Sequence, residues 1–176
     1  LKNEKLSIIE SLRTNKNVSM FDHQILAAQR IKNELGGTAL LADEVGLGKT
    51  IEAGIIIKEF LTTGLAKTVL ILAPPSLLAQ WQDELASKFN LDFINQKGDP
   101  RFVDVLSHDL LLMSHASASY PEKSKVLQEV FWDLVIVDEA HSMKNSATKK
   151  HQLVKNLSKR HLLLLSATPI QNNLEE

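Results

Sequence analysis

Cysteine is missing from this sequence altogether, and aromatic side chains make up only 5% of it. Without thiols there is no disulfide framework and no thiolate metal site. With so few rings, a base-stacking platform for single-stranded nucleic acid is not expected. No apolar run reaches the length of about 18 residues that a membrane-spanning helix needs. The leading stretch LKNEKLSIIESLRTNK is charged and lacks the apolar centre of a signal peptide. An excess of one charge is lacking too, since 20 Lys+Arg stand against 21 Asp+Glu for a net charge of −1. Any groove for a polyanion must therefore be local rather than a property of the whole surface. Internal repeats and low-complexity linkers are also absent. What is left is the profile of a soluble, intracellular domain without membrane association, and 176 residues suffice for one core without metal or disulfide staples.

Only 7 glycines occur, and two of them, Gly46 and Gly48, stand just ahead of Lys49 and Thr50 in LADEVGLGKT (residues 41–50). Apolar Ala39, Leu40 and Leu41 in front read as a buried strand, and Lys49 onward reads as a helix. A glycine-bearing turn at a helix N-terminus aims backbone N–H groups at an anion. Gly46 and Gly48 permit a close approach of phosphate that a Cβ would hinder. Lys49 would reach the β- and γ-phosphates of a nucleotide, and the Thr50 hydroxyl would face Mg²⁺. The general pattern G-x-x-x-x-G-K-[ST] calls for glycine where this chain has Asp43, so the match is partial. The plain alternative is a loop that happens to precede Lys-Thr.

Short, β-branched apolar runs alternate with segments of helical period along the rest of the chain. Strands are expected at Thr38–Leu41, Thr68–Ala73, Leu110–Ser114, Leu134–Val137 and Leu162–Leu165, with Phe93-Ile94 as a candidate short addition. Helices are expected at Asp22–Leu35, Lys49–Thr63, Ser76–Phe89, Glu122–Phe131 and Ser146–Leu157, the last with Ser146 as its N-cap. The segment up to Asn17 reads as an amphipathic helix with Leu6, Ile9 and Leu12 on one side. Alternation of this kind implies a three-layer α/β domain with a mostly parallel central sheet and helices on both faces. Ligands of such sheets bind beyond the carboxyl ends of the strands.

Asp138 ends the apolar run LVIVD and so falls on the same edge as Lys49. There it would hold Mg²⁺, mostly through water, while the adjacent Glu139 would orient and polarise an attacking water. Asp-Glu alone is also an ordinary solvated strand end, and His141 can be a histidine that satisfies a buried carboxylate.

The blocks LADEVGLGKT, ILAPPSLLAQW, VDEAH and LLLLSATPIQNN, in that order, resemble the first motor lobe of the helicase superfamily-two ATPases, and most closely the Swi/Snf family of duplex-DNA translocases. Within that family, DHQ at residues 22–24 and EVGLGKTIEAG resemble the bacterial branch that includes the RNA-polymerase-associated ATPase. The resemblance runs from Phe21 to Glu176. It implies a RecA-like P-loop lobe over residues 21–176, preceded by the helical segment 1–20. It also accounts for Asp43, since the family's phosphate loop commonly reads D-E-x-G-x-G-K-[ST].

By that resemblance Asp43, Glu44, Val45, Gly46, Leu47, Gly48, Lys49 and Thr50 would cradle ATP, and Gln24 would read the adenine edge with one donor and one acceptor. Lys49, Glu139 and His141 would be the catalytic set, and Thr50 and Asp138 the Mg²⁺ set. Pro74 and Ser76 would bring a helix start to a DNA phosphate, a helix cap being the plain alternative. Ser114, with His115 and Ser117 beside it, stands where the family often makes another backbone contact, although MSHAS departs from the usual wording. Ser166, Ala167 and Thr168 match the motif that links nucleotide state to DNA grip through His141.

Lys144, Lys149, Lys150, Lys155, Lys159 and Arg160 form a basic run that reads as a solvated helix face or as a DNA contact. His23, His108, His151 and His161 show no ligand spacing, and Trp81 and Trp132 read as packing residues. The family needs a second RecA-like lobe to supply arginines to the γ-phosphate, and none is expected in this chain. The expected whole is a DNA-stimulated ATPase that moves along double-stranded DNA, with ATP and Mg²⁺ as cofactors. RNA polymerase or another DNA-bound protein is the candidate partner, in the cytoplasm and nucleoid, or the nucleus of a eukaryote. Two alternatives stay open: a strand-separating helicase or restriction-system motor, and a nucleotide-switch module without turnover.

Overall fold

A computed structural model describes residues 22–34, 38–42, 49–139 and 149–166. The elements follow in chain order as α1 (Asp22–Glu34), β1 (Thr38–Ala42), α2 (Lys49–Thr63), β2 (Val69–Ala73), α3 (Leu78–Phe89), β3 (Ile94–Asn95), β4 (Leu110–Ser114), α4 (His115–Ala118), α5 (Pro121–Glu129), β5 (Trp132–Val137), α6 (Lys149–Asn156) and β6 (Lys159–Ser166). The strands form one sheet in the order β1-β6-β5-β2-β4-β3, and every pairing in it is parallel.

Each strand of the sheet interior feeds two cores. On one face Val69, Ile71 and Ala73 of β2, with Leu134 and Ile136 of β5, pack against Ile25, Ala28 and Ile31 of α1, Ile55, Ile56 and Phe60 of α2, and Leu85 and Phe89 of α3. On the other, Leu70, Leu72, Val135 and Val137 meet Leu127 of α5 and Leu153 and Val154 of α6. The period of 2 along each strand sorts the side chains between the faces, and burial on both explains why these strands read as unbroken apolar runs. Burying one Leu or Ile contributes about 1.5–3 kcal/mol, so the sheet interior dominates the stability of the domain. The three-layer α/β expectation is met, with helices on both faces.

Differences from the sequence expectation lie at element ends. The α-helix after β2 begins at Leu78 rather than Ser76, because Pro74 and Pro75 open a 3-10 turn over Pro75–Leu77 instead. Helix α5 starts at Pro121, where a missing N–H is harmless, and stops at Glu129 as Val130 turns extended (φ −91°, ψ 135°) to lead into β5. Strand β6 runs longer than its apolar stretch, from Lys159 to Ser166. The leading helical segment and the Ser146 cap lie outside the described residues. Among the described residues no helix is long and apolar enough to cross a membrane.

Helices α1 and α2, which carry Gln24 and Lys49, are tied by an ion pair in the interior. Lys32 Nζ donates to Glu59 Oε1 at 2.7 Å, with side-chain exposures of 10% and 0%. Arg101 spans an exposed Asp92, a pair of the kind that is worth little, and Asp99, whose side chain is 5% exposed and also accepts from Gln82 at 2.9 Å. At the amino-terminal edge of the sheet, Asp133 Oδ2 accepts the N–H groups of Lys67 (2.7 Å) and Thr68 (3.2 Å).

Two outcomes are expected on stability. Lys32→Met leaves the Glu59 carboxylate buried without its ammonium and should cost about 3–5 kcal/mol in denaturant unfolding. Gly54→Ala would drive a Cβ into the ring of buried Phe89, where α2 crosses α3. It should cost about 1–3 kcal/mol by the same measurement, and an unchanged midpoint would contradict the close packing.

Candidate functional site

Parallel pairing brings the strand ends into a row. Ala42 is in register with Ser166, Val137 with Leu164 and with Leu72, and Ala73 with Ser114. Asp138 follows directly on Val137, and its N–H extends the ladder by donating to the Leu72 carbonyl at 2.8 Å. The chain leaves β1 on this same edge and enters α2 with Lys49 and Thr50 as the first helical residues. Lys49 is buried to 7% exposure and Gln24, on α1, to 3%.

Around Asp138 and Glu139 the structure is tightly specified. Asp138 Oδ2 accepts from the indole Nε1 of Trp81 at 2.9 Å, and Oδ1 accepts from the N–H of Glu139 at 2.8 Å. The Asp138 carbonyl accepts from His115 Nε2 at 2.8 Å, and the Glu139 carbonyl accepts from Lys150 Nζ at 3.2 Å. Glu139 itself has φ = +56°, a left-handed conformation that costs a residue with a Cβ about 1–2 kcal/mol. The bonds to flanking helices hold it there.

A carbonyl can only accept, so His115 carries its proton on Nε2, and its buried Nδ1 has no partner. Burial, reinforced by the Lys150 charge, pushes His115 down to about 4, against the opposing effect of its bond to Asp138. Burial likewise lowers Lys150 to about 8, with Glu139 and Asp138 pulling the other way. An open cleft of about 350 Å³ adjoins these groups, lined by His115, Ser119, Tyr120, Lys149 and Lys150 among others.

The metal-donor atoms on this edge are hard oxygens, the Thr50 hydroxyl and the carboxylates of Asp138 and Glu139, and the Lys49 ammonium adds a positive charge suited to phosphate rather than to a metal. Such a set suits Mg²⁺ carried in with phosphates, which needs one or two protein oxygens rather than a full cage. Among the described residues no three His, Cys, Asp or Glu side chains converge on one point.

The family description SNF2-related domain matches residues 23–176. The chain belongs to the SNF2-related domain family. A Bacillus subtilis (strain 168) protein named as the uncharacterized ATP-dependent helicase YqhH is 46% identical over 154 residues, covering 88% of this chain and 27% of that protein. An Actinobacillus pleuropneumoniae serotype 5b (strain L20) protein named as RNA polymerase-associated protein RapA is 35% identical over 173 residues, covering 87% and 18%. This SNF2-related domain therefore spans about a fifth to a quarter of the length of these curated relatives. The Sulfolobus solfataricus SWI2/SNF2 ATPase core in complex with dsDNA superposes with a TM-score of 0.77 at 27% identity, covering 90% of this chain and 34% of that one. Its counterpart described as the SWI2/SNF2 ATPase core domain gives 0.72 at 29% identity, with coverages of 92% and 34%. The RecA-like fold class is thereby settled along with the family.

Of the residues singled out from sequence, the SNF2-related domain brings Asp138, Glu139, Pro74, Ser114 and Ser166 to one sheet edge, with Lys49 and Thr50 opening the helix beyond it. Asp43, Glu44, Val45, Gly46, Leu47, Gly48, His141, Ala167 and Thr168 lie outside the described residues. Ser76 is exposed and makes no side-chain cap to α3, whereas Pro74 stands at the N-cap of the 3-10 turn, its carbonyl accepting the Leu77 N–H at 3.0 Å. Ser114 is buried, and its hydroxyl accepts the Ser117 N–H at 3.0 Å.

One reading gains a role and one needs correction. Trp81 is buried in the core as a packing residue should be, and its N–H also donates to the Asp138 carboxylate. Lys150 is not part of a solvated face, because it is half-buried against the Glu139 carbonyl. In the sequence pattern His115 is only a neighbour of Ser114. The signals for Trp81 and His115 were present: a buried indole needs an acceptor, and a histidine one residue past a strand end lies on the site edge.

The pKa of His115 has a consequence for acid stability. The unfolded chain takes up a proton near pH 6.5 that folded His115 refuses until about pH 4. Stability present above pH 6.5 is therefore lost as pH falls toward 4, by at most about 3 kcal/mol. Thermal unfolding across this window should show the loss, and His115→Gln should flatten it.

Proposed function

We propose that this chain is the first ATP-binding lobe of a DNA-stimulated ATPase that moves along double-stranded DNA and remodels protein complexes bound to it. The single observation that carries the reading is that β1, which leads on to Lys49 at the head of α2, and β5, which leads directly to Asp138–Glu139, run parallel in one sheet and so have their carboxyl ends on one edge.

In this reading Gln24 pairs with the adenine edge, and residues 43–48 with the N–H groups of the first turn of α2 cradle the phosphates. Lys49 neutralises β- and γ-phosphate charge. Mg²⁺, when bound through Thr50 and Asp138, supplies charge neutralisation at the phosphate oxygens. Glu139 orients the attacking water and takes its proton, which its place one residue beyond Asp138 allows, and His141 relays the nucleotide state to Ser166, Ala167 and Thr168. Pro74 and Ser76, on the same edge, face the DNA backbone, and Ser114, whose buried hydroxyl caps α4, shapes the turn beside them.

The cargo and the remaining domain follow from relatives. One is named for association with RNA polymerase and one solved core is in complex with dsDNA, so duplex DNA and a DNA-bound protein such as RNA polymerase are the partners proposed here, in the cytoplasm and nucleoid. A second RecA-like lobe in the full-length protein supplies arginines across the cleft, a contribution worth about 10³ to 10⁵ in rate. Alone, this lobe turns ATP over hardly at all.

Duplex DNA should raise the ATPase rate of the full-length protein, and Lys49→Ala should abolish turnover. Glu139→Gln should lower kcat by at least about a hundredfold while still binding ATP. A rate indifferent to duplex DNA would sink the translocase reading. Strand separation is the second reading, favoured by the helicase name of the 46% identical relative. Release of a labelled strand from a duplex distinguishes it.

A further inference from the structure

The peptide unit that joins Asp138 to Glu139 is held at both ends. Its N–H is bound by the Oδ1 of Asp138 itself (2.8 Å), and its carbonyl by His115 Nε2 (2.8 Å). No ladder bond is left for this carbonyl among the described strand pairings, because the pairing of β5 with β2 ends at Val137. Rotation of the unit would move Glu139 out of its left-handed conformation (φ +56°) toward the region that a residue with a Cβ prefers. Local strain thus favours rotation, and the His115 bond opposes it.

His115 is itself well fixed. It opens α4, whose first turn is capped by the Ser114 hydroxyl on the Ser117 N–H (3.0 Å) and closed by the Ser119 hydroxyl on the His115 carbonyl (2.7 Å). Its ring lies beside Lys150, which holds the next carbonyl along, that of Glu139. Trp81 fixes the Asp138 carboxylate but touches neither atom of the joining peptide.

We infer that His115 is a positioning residue that sets the angle between the two acids by holding the Asp138–Glu139 peptide against rotation. Asp138 keeps its place through the sheet and Trp81, so loss of the His115 donor displaces Glu139 in particular. The consequence belongs to the chemical step rather than to nucleotide binding. The inference rests on the ATPase reading above.

The test compares His115→Phe, which keeps a ring but has no donor, with His115→Gln, whose amide can donate from nearly the same position. ATPase kcat and KM of the full-length protein are measured with saturating duplex DNA, beside affinity for a fluorescent ATP analogue. His115→Phe should lose about tenfold in kcat, the size of one well-placed hydrogen bond, with KM and analogue affinity within about twofold. His115→Gln should keep more than half of the wild-type kcat. Wild-type kcat in His115→Phe, an equal loss in both variants, or a loss in KM alone would overturn the inference. Should His115→Phe fail to fold, His115→Met takes its place with the same criteria. A wild-type protein without ATPase activity would overturn the underlying reading of the site, whereas an active wild type matched by His115→Phe overturns only the role of His115.

Discussion

Parallel pairing is the constraint on which the remainder of this structure depends. Six strands running one way leave every carboxyl end on one edge, so residues scattered from Ala42 to Ser166 become neighbours in a row. An antiparallel sheet built from the same strands would divide those ends between two edges. The price of the arrangement is burial on both faces, which this chain meets with strands such as VLILA at residues 69–73 and, among the described residues, helices packed above and below.

The two edges of the sheet do different work. At the amino-terminal edge Asp133 binds the N–H groups of Lys67 and Thr68, and Thr68 returns a bond to the Phe131 carbonyl, which closes the start of β2 onto the start of β5. These ties are local and complete. At the carboxyl edge the polar groups reach outward to helices instead: Trp81 from α3, His115 from α4 and Lys150 from α6 converge on two adjacent acids. A residue with positive φ stands at the centre of that convergence. Strain of this kind persists only where surrounding bonds over-determine it, and here three side chains from three helices do so.

The buried Lys32–Glu59 pair extends the same logic to α1 and α2, on the face that also carries α3. It joins α1 to α2, and those helices present Gln24 and Lys49 near their amino-terminal ends. An apolar pair of equal volume would often be as stable. The ionic pair adds a registration between the helix proposed to meet the base and the helix proposed to meet the phosphates.

Much of this was legible in the amino-acid sequence, because strand identity, helix period and the order of motifs are local patterns. Strand Leu110–Ser114 and helix Lys49–Thr63 matched their patterns end to end, and Asp138 could be assigned to a strand end from four apolar neighbours alone. Boundaries near Pro75 and Val130 were less legible, since a 3-10 turn and an extended linker satisfy the same apolar spacing as a helix. A buried indole and a histidine just past a strand end mark themselves as polar groups in need of partners, but which atoms they hold is not written in the pattern. Trp81, His115 and Lys150 lie 57, 23 and 11 residues from the atoms that they hold, and no periodicity encodes a contact across such separations. The sequence by itself determined which residues would stand at the sheet edge, because pattern along a strand is set by burial of its own side chains. Only the tertiary structure decided how Glu139 is turned and what keeps it so, because that depends on hydrogen-bond donors from helices packed on both faces of the sheet.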